Sequence, residues 1–212
     1  MSKSSLLLKE LWMERESLLH GKGFQVIAGV DEAGRGPLAG PVAAAAVILP
    51  PGCIIEGLND SKKLTPARRE MLAEVIKGRS LAWGVGIISS RVIDRIGIVP
   101  STFRAMALAI ERLGLRPDYL IVDGNQKLPR YEGIQEALVD GDALAAPVAA
   151  ASIVAKVVRD GLMERYAPLF PGYGFEQHKG YGTRAHRSAI LERGVCPLHR
   201  VTFVHLNEPK GG

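Results

Sequence analysis

The chain has 212 residues, 47% of them apolar and 23% charged. That is enough for one domain whose core stands without disulfides or metal, and it excludes a disordered chain, a collagen, a coiled coil and a disulfide-stapled mini-protein. Lys and Arg outnumber Asp and Glu by 27 to 22, giving a net charge of +5, which favours anionic partners, nucleic acid first among them.

Two cysteines, Cys53 and Cys196, suit a reducing compartment and no disulfide framework. The Leu6-Leu7-Leu8 run is cut off by Lys9 and Glu10, unlike a secretory signal. The longest apolar run, residues 42–49, is too short to span a bilayer. A soluble, cytoplasmic protein that needs no membrane is expected.

In chain order, residues 5–20 read as a short mixed-charge helix, an N-terminal extension ahead of a main domain over 21–212. Residues 24–30 form an apolar strand that ends abruptly in Asp31-Glu32. After a Gly- and Pro-rich turn, residues 42–49 read as a second, buried strand. Thr65-Pro66 has the form of a helix N-cap followed by Pro at the first helical position, with a helix to about residue 77. Residues 80–89 are a third strand, weakened by Gly84 and Gly86. Over 101–113, Phe103, Met106, Ala107 and Ile110 fall on one helical stripe. Residues 119–122 make a strand ending in Asp123-Gly124, and 135–139 another. The helix predicted over 147–166 is apolar on most sides through Val158 and so should be central. Beyond residue 170 Gly and aromatics dominate before a last helix at 183–193. The order β-β-α-β-α-β-β-α, with a helical tail, predicts an α/β fold with a mixed sheet covered by helices.

Carboxylates stand at the ends of apolar strands: Asp31 and Glu32 after the first, Asp123 after the fourth, Asp142 after the next. Acids converging in this way form a cage of hard oxygen ligands suited to Mg²⁺ or Mn²⁺. Two such ions about 4 Å apart activate water and stabilise the leaving oxygen of a phosphodiester. Adjacent residues of a regular strand point to opposite faces, so Asp31 and Glu32 should share one site only if the strand twists out there. Taken singly, Asp123-Gly124 and Asp140-Gly141 are also ordinary Asp-Gly turns.

Gly34-Arg35-Gly36-Pro37-Leu38-Ala39 fits the G-x-G-x-x-A pattern of dinucleotide-binding turns, but Pro37, Gly40 and Pro41 break the helix that pattern needs. A nucleotide-dependent oxidoreductase is therefore disfavoured, and glycines around an Arg fit better with backbone approaching a sugar-phosphate. Lys62 and Lys63 sit in a loop as phosphate-binding candidates. Lys179-Gly180-Tyr181-Gly182 places a basic residue and an aromatic on a flexible loop, the pairing that tracks a nucleic-acid backbone. Cys196 and His199 have C-x-x-H spacing without a second ligand pair and read as structural. Serine nucleophile elbows and Walker A loops are absent.

Val30-Asp31-Glu32-Ala33-Gly34-Arg35-Gly36-Pro37-Leu38-Ala39-Gly40-Pro41-Val42 resembles the signature of the type 2 ribonucleases H. In the same order follow Asn59-Asp60-Ser61-Lys62-Lys63-Leu64 and Val122-Asp123-Gly124-Asn125. Then come Ala150-Ala151-Ser152-Ile153-Val154-Ala155-Lys156-Val157-Val158-Arg159-Asp160 and Tyr173-Gly174-Phe175 to His178-Lys179-Gly180-Tyr181. The likeness covers about residues 24–205.

The resemblance implies a ribonuclease H-like fold, a five-stranded mixed sheet flanked by helices with a helical C-terminal region. It implies endonucleolytic cleavage of RNA in RNA/DNA hybrids and 5′ of ribonucleotides embedded in duplex DNA, by two-metal hydrolysis with Mn²⁺ or Mg²⁺ that leaves a 3′-hydroxyl and a 5′-phosphate. Asp31, Glu32 and Asp123 match the family's metal-binding acids. Asp142 matches the fourth by its place, although Asp140 stands where a basic residue is expected, so two acids compete for that position. Gly34-Arg35-Gly36 matches the loop whose backbone senses the ribose 2′-hydroxyl. Tyr181 matches the aromatic that packs on the sugar across the RNA–DNA junction, and Lys62 and Lys179 are candidate substrate contacts. The segment His199-Arg200-Val201-Thr202-Phe203 matches loosely, and no sliding-clamp peptide (Q-x-x-L, then two aromatics) is evident. A monomer is expected. The alternative is a non-catalytic nucleic-acid binding module on the same fold.

Overall fold

The computed structural model describes residues 3–58 and 61–204, with residues 3–11 and 63 described by backbone alone. Asn59 and Asp60 of the Asn-Asp-Ser-Lys-Lys motif lie outside the described residues. Helix α1 (Lys3–Gly21) leads into an antiparallel meander of β1 (Ile27–Ala33), β2 (Val42–Ile48) and β3 (Ala82–Ile88), with α2 (Pro66–Arg79) between the last two. Helices α3 (Ser90–Ile96) and α4 (Ile98–Glu111) follow. Strands β4 (Tyr119–Asp123) and β5 (Gln135–Leu138) then add in parallel on the other side of β1. The sheet order β3-β2-β1-β4-β5 is the five-stranded mixed sheet expected. The one-turn α5 (Gly141–Leu144), the long α6 (Ala146–Tyr166), the one-turn α7 (Phe175–His178) and α8 (Arg184–Arg193) complete the chain order.

Strand periodicity divides the core into two layers. Ala28 and Val30 of β1 join Ala44 and Ala46 of β2 in packing on Ala105 and Met106 of α4. Ala33, Ala45 and Val47 face the other way, onto α2 and onto Ala149, Ile153 and Val154 of α6. Both helices come close because the sheet is cut small beneath them. A Cβ on Gly29 would lie 2.2 Å from the Pro147 carbonyl carbon, and one on Gly86 only 1.9 Å from the Ala105 oxygen. The glycines that made β3 look weak in sequence are thus the seat of α4. Truncating Met106 or Ile153 to Ala in such a core costs about 2–5 kcal/mol.

Thr65 caps α2 as expected, its hydroxyl accepting the Arg68 N–H at 3.3 Å with Pro66 at the first helical position. Thr183 does the same for α8 through the His186 N–H at 3.2 Å. Three features differ from the sequence reading. Helix α4 starts at Ile98 and not at 101, because Pro100 sits in the first turn, where no helical N–H bond is lost. The short helices α3, α5 and α7 were not anticipated, being too brief to show periodicity. Strand β1 does not stop at Asp31-Glu32 but stays paired with β2 as far as Ala33↔Ala43.

Helix α1 is docked on this framework. Trp12 and Leu19 are buried, the Trp12 indole N–H donates to the Ala143 carbonyl at 3.0 Å, and Arg15 pairs with Glu136 of β5 at 2.5 Å. Cys53 and Cys196 are both free thiols. Among the described residues no helix is long and apolar enough to cross a membrane.

Candidate active site

The parallel pairing of β1 with β4 runs up to Val30↔Val122, so Asp31 and Asp123 come next on neighbouring strands. The strand does not twist out to bring Asp31 and Glu32 together, contrary to the expected requirement. Asp31 is turned to the α6 face, where it is bonded to the Ser152 side chain. Glu32 lines a cleft of about 280 Å³ on the α4 side, with Arg35, Thr102, Phe103, Met106 and Asp123. Asp123 closes β4, and past that edge side chains from either face of β1 act on one another.

The electrostatics show this convergence. Burial pushes the Asp31 carboxyl well above the usual carboxylate range, and the charges of Glu32 and Asp123 push it further, against hydrogen bonds from Ser152 and the Glu32 N–H. Burial also raises Glu32; the Arg35 guanidinium opposes the shift and Asp123 adds to it. Asp123 is raised by burial, held back by the Gly141 N–H and the Lys62 ammonium, and pushed further by Asp140. A divalent cation would favour the ionised form of such neighbouring acids, and hard carboxylate oxygens are the donors Mg²⁺ and Mn²⁺ take. Among the described residues no three His, Cys, Asp or Glu side chains are already gathered into a closed ligand cluster.

Neighbouring side chains aim the acids. The Ser152 hydroxyl lies 3.0 Å from that of Ser61. Ser61 starts a short 3-10 turn (Ser61–Lys63), and Arg69 donates to the Ser61 and Leu64 carbonyls at 3.0 and 2.6 Å to hold it. The Gly141 N–H donates to the Asp123 carboxylate at 2.8 Å, which brings the Asp140-Gly141-Asp142 turn to the same end of the sheet. Asp142 is buried in the first turn of α5, while Asp140 is exposed and left-handed at φ 55°.

Two buried arginines shape the Gly-Arg-Gly loop. Arg200 donates to the carbonyls of Gly34 (2.6 Å), Arg35 (2.9 Å), Gly40 (3.0 Å) and Pro41 (3.2 Å). Arg159 of α6 donates to Pro41 (3.1 Å), Ala39 (3.3 Å) and Lys179 (2.9 Å). Burial pushes Arg200 down to about 9, still charged at neutral pH. The two glycines differ. Gly34 has φ +95°, and a Cβ there would lie 1.9 Å from Arg159 Nε, so the fold itself demands glycine. Gly36 is exposed with nothing within 4 Å of a Cβ. The exposed Arg35 reaches Glu32 at 3.4 Å.

Tyr181 is 43% exposed and lies over Lys156 (5.6 Å) and Arg159 (5.5 Å) at the edge of a groove of about 560 Å³ that also carries Arg69, Asp160 and Lys179. The Lys179 ammonium is engaged by Glu164 at 2.8 Å and by the Glu176 carbonyl. Lys62 is exposed beside Asp123, and the side chain of Lys63 is outside the description. The Cys196 N–H donates to His199 Nδ1 at 2.8 Å, so this C-x-x-H pair closes a turn, in keeping with the structural reading. Ser152, Arg159 and Arg200 were given no role from sequence. All three lie in or beside motif strings, but their partners are set by the fold.

The family model for Ribonuclease HII matches residues 28–206. A Ribonuclease HII of Moorella thermoacetica is 56% identical over 190 residues, 90% of this chain and 92% of that protein. One of Geobacter sulfurreducens is 53% identical over 196 residues, 92% of this chain and 90% of that protein. Among solved structures, the Archaeoglobus fulgidus RNase HII in complex with PCNA is 29% identical with a TM-score of 0.70, covering 87% of this chain and 98% of that one. With the mixed sheet, the edge acids and the Gly-Arg-Gly loop in place, the chain belongs to the ribonuclease HII family, endoribonucleases that hydrolyse RNA in RNA/DNA hybrids.

Proposed function

We propose that Asp31, Glu32, Asp123 and Asp142 hold the divalent ions of this nuclease, Mn²⁺ or Mg²⁺, two during catalysis. We further propose that it cuts 5′ of single ribonucleotides in duplex DNA as well as in hybrids, leaving a 3′-hydroxyl and a 5′-phosphate. The observation that carries this reading is the meeting of Asp31, Glu32 and Asp123 at the end of β1 and β4 beside the Gly34–Gly36 loop, with Glu32 and Asp123 lining one cleft. A mere binding module would gain nothing from carboxylates, which repel phosphate.

When bound, the ions would activate the attacking water and stabilise the leaving 3′-oxygen. The chain's own residues set the geometry. Ser152 holds Asp31 and the Gly141 N–H holds Asp123. Arg159 and Arg200 occupy carbonyls of the loop, leaving the open backbone at Gly36 to meet a ribose 2′-hydroxyl, the group that distinguishes RNA from DNA. Lys62 contacts a substrate phosphate, and Lys179 does so after leaving Glu164. Tyr181 packs on the sugar across the RNA–DNA junction. We take the chain to act as a cytoplasmic monomer. The Archaeoglobus structure is that of a PCNA:RNase HII complex, but this sequence has no recognisable clamp peptide and we propose no clamp contact.

The test compares Asp123→Asn with wild type on a duplex containing one ribonucleotide, with Mg²⁺, Mn²⁺ and chelator. The variant should lose at least ~100-fold in kcat, the scale on which a single stabilising group acts. Full metal-dependent activity in the variant would remove Asp123 from the ligand set.

A further inference from the structure

Three histidines gather beside the Tyr181 loop, apart from the acidic site. His178 ends α7, His186 lies in α8 and His199 in the segment that follows. His178 stacks on His186 with ring centres 4.4 Å apart, and His186 and His199 are buried. Their nitrogens form one directed chain. His199 Nδ1 accepts the Cys196 N–H at 2.8 Å, shorter than its 3.3 Å separation from the Cys196 carbonyl, and this favours the tautomer with the proton on Nε2. That atom faces His186 Nε2 at 3.1 Å. His186 Nδ1 lies 2.9 Å from the Tyr181 carbonyl, which can only accept, so His186 carries its proton there and its Nε2 receives the proton of His199. The relay therefore runs from the Cys196 N–H through His199 and His186 to the Tyr181 carbonyl. An added proton fits it poorly: one on His186 would set two N–H groups face to face across 3.1 Å, and one on His199 Nδ1 would displace the Cys196 N–H bond for a longer one to the Cys196 carbonyl at 3.3 Å.

The surroundings keep the relay neutral. Burial pushes His186 down to about 4 and His199 below its ordinary value, and the neighbouring imidazole of His178 adds to both shifts. His178 is itself fixed, with Nε2 at 2.7 Å from the Tyr173 carbonyl and Nδ1 accepting the Gly180 N–H at 3.2 Å. Around them, the Tyr173 hydroxyl and the Cys196 thiol are both raised by burial and stay uncharged. The nearby cations are Arg159 from α6, bonded to the Lys179 carbonyl, with Lys179, Arg187 and Arg200 as chain neighbours of the three histidines. Among the described residues, the charged groups that act on His186 and His199 are histidines and not carboxylates. The Tyr181 backbone is held by this set at both ends: its N–H goes to the His178 carbonyl (2.9 Å), and its carbonyl takes Thr183 N–H (2.8 Å) as well as His186.

We propose that His186 and His199 are positioning residues for Tyr181: neutral, they fix the backbone that presents its ring to the junction sugar, and protonation in acid releases it. The proposal rests on the role given to Tyr181 above. It predicts a pH dependence of junction cleavage beyond the one it shares with long-hybrid cleavage.

The experiment measures kcat and KM from about pH 4 to about pH 8, a range that reaches the lowered His186 value. Two substrates are used, a DNA duplex with one ribonucleotide and a long RNA/DNA hybrid. The ratio of the two kcat/KM values cancels the titration of the acids they share. The wild-type ratio should be flat above about pH 6 and fall as the pH approaches the lowered His186 value of about 4. His186→Phe, which cannot donate to Tyr181, should lower the ratio ~10-fold at neutral pH, a loss comparable to one hydrogen bond. His186→Asn keeps a donor near the Nδ1 position and cannot titrate, so its ratio should stay near the neutral wild-type value and be flat with pH. A wild-type ratio that does not change with pH, or a sloping His186→Asn ratio, overturns the relay even if His186→Phe fails to fold. Tyr181→Ala runs beside them. Equal losses on both substrates would overturn the role of Tyr181 itself, whereas a selective loss with unmoved histidine variants overturns the relay alone.

Discussion

Arg159 joins Tyr181 to the Gly-Arg-Gly loop through one side chain: its guanidinium lies 5.5 Å from the Tyr181 ring centre and donates to the carbonyls of Ala39, Pro41 and Lys179. A fully buried cation is tolerable here because carbonyl oxygens take up its donors and Asp160 stands 3.8 Å from its remaining nitrogen. Arg159→Met would leave three carbonyls without that donor. We expect a loss of about 3 kcal/mol in urea unfolding, since each buried group left unmade costs ~1–3 kcal/mol and the neighbourhood relaxes in part. An unchanged urea midpoint would show that the guanidinium holds nothing.

The two glycines of the loop should separate stability from recognition. Gly34→Ala meets both a positive φ and the Arg159 side chain, and should cost ~2–4 kcal/mol from strain and overpacking together. Gly36→Ala meets nothing in the protein and should leave stability within ~0.5 kcal/mol. It should still lower single-ribonucleotide cleavage at least ~10-fold, because a methyl there intrudes where a 2′-hydroxyl must approach. Normal cleavage by Gly36→Ala would move the 2′-hydroxyl contact elsewhere.

Asp31 illustrates a site held against its own stability. Its buried carboxylate is opposed by Glu32 and Asp123. In chelator, Asp31→Asn should therefore be more stable than wild type by about 1–2 kcal/mol, the usual gain when a strained functional charge is removed. Saturating Mg²⁺ or Mn²⁺ should raise the melting temperature of wild type much more than that of the variant, by mass action on the folded state. A variant that melts below wild type in chelator would mean Asp31 is a structural acid.

Much of this arrangement was readable before any coordinates. Strands β1 to β4 are short, largely apolar runs, and Thr65-Pro66 announces its helix through local capping chemistry, whereas β5 (Gln135–Leu138) is half polar. The acids were visible because a carboxylate at the end of an apolar run is unusual. The roles of Arg159, Arg200 and Ser152 were not visible. A buried guanidinium is legible only once the carbonyls around it are placed, and Arg200 finds its partners roughly 160 residues upstream. Similarly, Cys196-x-x-His199 shows a local turn in the sequence, but the facing His186 comes from another helix. The strand-face objection to Asp31 and Glu32 was sound for a sheet interior and fails at an edge, where β4 ends.

Ser152 tests the support behind Asp31. Ser152→Ala removes the hydrogen bond that favours the ionised carboxylate and the 3.0 Å contact to Ser61. Stability should fall by only about 1 kcal/mol. In Mg²⁺ kcat should fall ~10-fold, with KM for long hybrids little changed. A rise in KM with kcat intact would place Ser152 in substrate binding.

The histidine relay has a stability counterpart. His186 is lowered from 6.5 to about 4 in the folded chain, so between these values the unfolded chain binds more protons. Its contribution is complete above about pH 6.5 and is lost as the pH falls towards 4. Between neutral pH and about pH 5 the urea midpoint should drop further for wild type than for His186→Asn. Parallel declines would mean that folding does not lower His186.

The most direct test of the account is incubation of the protein with a DNA duplex containing one ribonucleotide, beside an all-DNA duplex, with Mg²⁺, with Mn²⁺ and with chelator. The account predicts a metal-dependent nick on the 5′ side of the ribonucleotide, with 3′-hydroxyl and 5′-phosphate ends, and none in the all-DNA control. Tight binding without a nick in either metal would contradict it.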